Sequence, residues 1–181
     1  MQKIEDQIDA LKSQLEALQN HAQENKLAMV VFSGSLDKVL AALVIATGAV
    51  AMGMDAVLFF TFWGTPVLRD KYKTVKGKDL MGNMFGTMLP KGATDVQLSQ
   101  MKMGGLGTAM MKSLMKKKNV ASLEEMFGLA EELGVRIVIC EMSMDLMGFK
   151  REEMITYDHL EFGGVAKFLE EAGTSKVQLF I

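Results

Sequence analysis

One thiol is the strongest nucleophile available to this 181-residue chain. Cys140 closes the run VRIVIC, and EMSMDLMG follows at once, which puts Glu141, Ser143 and Asp145 within five residues of the sulfur. The thiolate is the reactive form of cysteine, and the free N–H groups at the start of a helix stabilise an anion. EMSMDLMG reads as a short helix, so the thiol is expected beside such a start. Ser143, three residues on, is expected either to hydrogen-bond the sulfur or to cap the turn. Asp145 would oppose a thiolate if it faced inward, so it is expected to face away or to pair with a cation. Free cysteine is also a common small core residue. Position alone leaves the reactive and the inert reading equally open.

Other familiar chemistry is missing its parts. SGSLDKVLAA places a glycine turn between a strand and a helix, without G-x-G-x-x-G spacing or a Walker lysine. GGLG at 104–107 follows no strand. His21 and His159 lie far apart, which argues against a Cys-His dyad or a histidine metal site, and the chain has no G-x-S-x-G elbow and no H-E-x-x-H. No metal and no cofactor is expected. A formal net charge of -2, without aromatics interleaved among basic residues, argues against nucleic acid as a partner. One cysteine allows no disulfide within the chain, and the N-terminus lacks the pattern of a secretory signal, so a cytoplasmic setting is expected.

The elements that must position Cys140 follow from periodicity. LAMVVFSG is a continuous apolar run followed by a helical pattern from Asp37 to Met52, and AVLFFTFWG is a second such run. SLEEMFGLAEELG carries a capping box, Ser122 with Glu125, and a glycine stop before VRIVIC. GGVAKFLEEAG and KVQLFI repeat the theme. Strands apolar on both faces that alternate with helices predict a three-layer α/β fold with a mainly parallel sheet, strands lying near 27–33, 56–62, 135–140 and 176–181. In such a sheet functional groups collect beyond the carboxyl ends of strands, where Cys140 falls. Residues 39–68 hold one charge, Asp55, and read as a buried helix and strand in preference to a membrane span, with membrane association kept as the minor alternative.

Two segments stand outside this rhythm. In residues 1–25, Met1, Ile4, Ile8, Leu11, Leu15, Leu18 and Ala22 form the seam of a coiled-coil-like helix, which either pairs with another copy or folds back on its own domain. Residues 77–119, inserted in the α/β domain of 27–181, are rich in glycine and hold Met81, Met84, Met88, Met101, Met103, Met110, Met111 and Met115 of the chain's 17 methionines. They read either as a helical hairpin packed on the core or as an adaptable apolar surface over the active site or toward a partner.

The stretches VVFSGSLDKVLAALVIATGAVAMGMDAVLFFTFWG, MGGLGTAMMKSLMKKKNVASLEEM, GVRIVICEMSMDLMGF and FGGVAKFLEEA resemble the DsrE/DsrF-like sulfur-carrier family, in its longer branch with a methionine-rich insertion. The resemblance implies a flavodoxin-like fold, a homo-oligomer, and a strand-end cysteine that accepts sulfane sulfur as a persulfide and hands it to a partner. Cys140 is the matching position. Sulfur donor and acceptor proteins or small thiols are the implied partners, and the loops after neighbouring strands, Ser33 with Gly34 and Trp63 with Gly64, are expected to wall the sulfur pocket with Ser143. Many relatives have a further cysteine that this chain lacks, so an internal relay or a resolving disulfide has no second thiol. The competing expectation is a non-catalytic oligomeric scaffold with a methionine-rich partner surface and an inert thiol.

Overall fold

The computed structural model of the chain describes residues 7–8, 12, 23–75, 78 and 80–181. The apolar runs form strands β1 (Glu24–Val31), β2 (Asp55–Phe60), β3 (Arg136–Cys140), β4 (Leu160–Gly163) and β5 (Ser175–Phe180). Every neighbouring pair is parallel, in the order β4-β3-β2-β1-β5. Around them lie helices α1 (Leu36–Ala51), α2 (Leu80–Met88), α3 (Leu106–Lys117), α4 (Leu123–Glu132), α5 (Glu141–Met147) and α6 (Val165–Thr174). This is the flavodoxin-like α/β architecture, with β4 as a strand that the apolar runs do not announce.

Alternation along each strand divides the core in two. Leu27, Met29, Val31, Leu58, Phe60, Ile137 and Ile139 face the front, where they meet Val39 and Leu43 of α1, Phe127 of α4, and Met144 and Met147 of α5. Val57, Phe59, Val138 and Cys140 face the back, where Phe168 of α6 packs on them. The chain steps one way through β1, β2, β3 and β4 with its connections at the front. Parallel crossovers are right-handed, so the return to β5 on the far side of β1 must cross the back, and α6 does so.

Some boundaries differ from the sequence expectation. β1 begins at Glu24, inside the stretch assigned to the N-terminal helix, and ends at Val31 because the N–H groups of Phe32 and Ser33 both donate to Ile181 O (2.8 and 3.2 Å). The coiled-coil seam itself lies outside the described residues, apart from Ile8, which is helical along with Gln7 and Lys12. Residues 39–68 divide into α1, β2 and a 3-10 turn over Phe62–Leu68, and among the described residues no helix is long and apolar enough to cross a membrane.

The methionine-rich segment is helical in α2 and α3, yet of its eight methionines Met115 alone is buried. Met81, Met84, Met88, Met101, Met103, Met110 and Met111 are exposed, which favours the surface reading over the packed hairpin. A buried clasp ties this segment to the domain. The Arg69 guanidinium donates to the carbonyls of Gly86, Leu89 and Pro90 (3.1 to 3.3 Å) and lies 3.5 Å from Glu153, which also pairs with Lys78 at 2.5 Å. Buried charges are tolerated when paired and hydrogen-bonded in this way.

Candidate functional site

The carboxyl ends of β3 and β4 define the position of the thiol. Cys140 pairs in register with Gly163, the last residue of β4. From that point the chain leaves β3 into α5, whose Met144 and Met147 pack at the front, and leaves β4 into α6, whose Phe168 packs at the back. Adjacent strands whose connections part to opposite faces open a crevice at their carboxyl ends, and ligands in open α/β sheets bind there. Cys140 occupies that place and stands just before α5, as the sequence predicts. Its side chain points to the back, however, into the cluster of Val57, Phe59 and Val138, and the residue is 3% exposed.

Ser143 is committed elsewhere than to the sulfur. Its hydroxyl, on a residue 0% exposed, accepts from the backbone N–H of Phe62 (2.9 Å) and shares a hydrogen bond with the Thr61 hydroxyl (2.9 Å). Phe62 has φ +44°, a left-handed conformation that a bulky residue keeps only where its surroundings impose it. Ser143 imposes part of it. The hydroxyl thus ties the first turn of α5 to the exit of β2, one step beyond the register pair Phe60 and Ile139, so that Thr61 flanks Cys140. Asp145 is exposed, and Glu141 pairs with Arg151.

The other expected wall residues gather one strand over. A Cβ on Gly34 would stand 2.0 Å from the Trp63 carbonyl oxygen, and one on Gly64 would stand 2.3 Å from that of Val31, so both positions require glycine for the β1 and β2 exits to touch. Ser33, Gly34 and Trp63 line a cleft of about 600 Å³ with Met88, Leu98, Ser99 and Lys102, and Cys140 is not on its lining. Trp63 is 51% exposed and belongs to that cleft and not to the surroundings of the thiol. The start of α1 there is occupied by its own chain: Leu36 N–H donates to Gln97 O (2.8 Å), and Asp37 accepts from the N–H and hydroxyl of Ser99. Sequence reasoning missed Thr61, which follows β2 one register step beside Cys140, and Phe168 of α6, which packs on the back cluster that holds the thiol.

A second polar cluster holds the far half of α6. Arg136 donates to both carboxylate oxygens of Glu171 (2.5 and 2.8 Å), and Lys26 donates to Glu171 (3.0 Å) and to Thr174 (2.8 Å). The hydrogen-bonded Arg136 guanidinium lowers the Glu171 carboxyl to about 2, against the opposing effect of burial and with Lys26 assisting.

Comparison with known proteins decides the kinship. A profile of the DsrE/DsrF/DrsH-like family matches residues 23–180. The chain belongs to that family. It is 40% identical to YrkE of Bacillus subtilis, a protein named without a function, over 88% of this chain and 98% of that one. It is 36% identical to the sulfur carrier protein DsrE2 of Allochromatium vinosum, over 88% of this chain and 99% of the relative. Among solved structures, the ychN protein of E. coli aligns over 86% of this chain and 98% of its own at 11% identity and a TM-score of 0.48.

Proposed function

We propose that this chain carries sulfane sulfur as a persulfide on Cys140 and delivers it to a partner thiol. The observation that supports this reading most is the place of the single cysteine, where the connections of β3 and β4 part, in a chain 36% identical to a protein named a sulfur carrier. The Cys140 thiolate attacks the outer sulfur of a hydropersulfide R–S–SH. A bond forms between Cys140 Sγ and that sulfur, the S–S bond of the donor breaks, and the electron pair leaves with R–S⁻, while the proton stays on the transferred sulfur. An acceptor thiolate then attacks the outer sulfur of Cys140–S–SH and restores the Cys140 thiolate. The cycle needs neither a second cysteine nor an external oxidant. Thr61 and Ser143 flank the thiol, and Phe59 and Phe168 line its apolar side. Ser33, Gly34, Trp63 and Gly64 shape the neighbouring turn. A reducing compartment such as the cytoplasm suits a lone thiol.

Incubation with inorganic polysulfide followed by intact-mass spectrometry tests this. The wild type is expected to gain about 32 Da, reversibly with excess thiol, and Cys140→Ser to gain nothing while keeping its fold. The exposed methionines of 81–111 favour a second reading, in which the chain is a scaffold that binds partners through that surface and the thiol is inert. A folded wild type whose Cys140 takes up no sulfur would establish that reading in place of the first.

A further inference from the structure

We infer that Phe168 is a specificity-determining residue: it covers Cys140 and restricts the thiol to narrow, linear sulfur donors. The inference rests on the carrier reading for its purpose and on the packing of α6 for its content. A sulfur-exchanging thiolate must be reached in line with the S–S bond that it breaks. Cys140 is buried, and from α6 the side chain that packs on its cluster is Phe168, whose ring centroid lies 5.4 Å from that of Phe59.

The seating of α6 shows which part of this cover gives way. Val165, Phe168, Leu169 and Ala172 form one stripe at helical spacing, which in a fully docked helix would lie against the sheet. Here Ala172 is buried and Phe168 half-buried, while Val165 and Leu169 are 62% and 60% exposed. Their apolar surface is already in water, so lifting the first turns of α6 exposes little more than the Phe168 ring. The far half is bolted by Glu171 to Arg136 and Lys26. The near half has the partly exposed pair of Lys167 with Glu161, and such pairs contribute little. Local opening therefore belongs to the end that covers the sulfur, with few buried contacts to break. A small opening admits a chain of sulfur atoms before it admits an aromatic disulfide.

The test compares full-length wild type, Phe168→Ala and Phe168→Leu with two reagents at neutral pH. Inorganic polysulfide delivers a sulfur, read by mass. Dithiobisnitrobenzoate forms a mixed disulfide with Cys140 and releases a coloured aryl thiolate. Deleting the ring is expected to speed the aromatic disulfide about tenfold or more and polysulfide by a clearly smaller factor, with Phe168→Leu intermediate, because access then needs less local opening. Equal rates for wild type and Phe168→Leu with both reagents would overturn the gate, as would an equal gain for both reagents in either variant. The leucine variant keeps an apolar side chain on the cluster, so the comparison survives a poorly folded alanine variant. If the variants react faster with the disulfide yet no form takes up sulfur, the carrier reading fails and the gate stands. If sulfur loads on every form and the aromatic disulfide also reacts with every form at one rate, the carrier reading stands and the gate fails.

Discussion

Ser143 has the most testable role beside Cys140, because its hydroxyl bridges two elements and belongs to no surface. Ser143→Ala leaves the Phe62 N–H and the Thr61 hydroxyl without their partner, and the loss of a buried hydrogen bond costs about 1 to 3 kcal/mol. A drop of that size is expected in the unfolding free energy from urea melts, with Ser143→Thr closer to wild type because a hydroxyl is retained. Unchanged melts for Ser143→Ala would mean that water replaces the hydroxyl at no cost. The place of Cys140 was legible because a β-branched run ends on it, and strand ends face the crevice. The partners of Ser143 were not legible, since they lie 81 and 82 residues back along the chain and only sheet register brings them together. For the same reason Trp63, one loop from the thiol on paper, lines a different cleft.

Among the elements, α6 has the most divided environment, and its anchor makes the protein sensitive to acid. Glu171 is held down to about 2 by Arg136, first of all, and by Lys26, against an ordinary value near 4.5. A carboxyl depressed in the folded state adds stability that is complete above about 4.5 and is lost as pH falls toward about 2. Thermal melts are thus expected to show Glu171→Gln less stable than wild type at pH 7, with the gap narrowing between about pH 4.5 and 2. A gap that stays constant through that range would remove the linkage. Element types were readable where local chemistry is strong, as in the Ser122 and Glu125 capping box at the start of α4, in which Ser122 N–H donates to the Glu125 carboxylate at 2.7 Å. β4 escaped because its four residues LEFG carry a charge and no apolar run, so pairing with β3 supplies what its sequence lacks. The polar start of β1 was read as the tail of a helix for a similar reason: Lys26 is buried there with its ammonium paired to Glu24 (2.6 Å) and, from the distant α6, to Glu171 (3.0 Å).

At the scale of the whole molecule, the α/β domain closes its sheet core yet leaves apolar surface on several sides. Val44, Ile45 and Met52 of α1 and its following turn are exposed, as are the methionines of the inserted segment and Phe180 at the sheet edge. Exposed apolar patches mark places of association. The heptad seam of residues 1–25 offers a separate means of joining copies, and Ile8, its one described member, is exposed. Pairing between copies through Ile4, Ile8, Leu11, Leu15 and Leu18 is the proposal, since a charge at an a or d position opposes a helix seam. Leu11→Glu with Leu15→Glu in the full chain tests it without touching β1, which starts at Glu24 and would be cut by a deletion through residue 25. Light scattering is expected to give a smaller assembly for this variant than for wild type, at unchanged sulfur uptake by Cys140, because the seam joins the fold at the amino end of β1 and the thiol sits at the carboxyl end of β3. The same mass for both proteins would assign assembly to the domain surfaces instead, with α1 and the methionine face the first to examine.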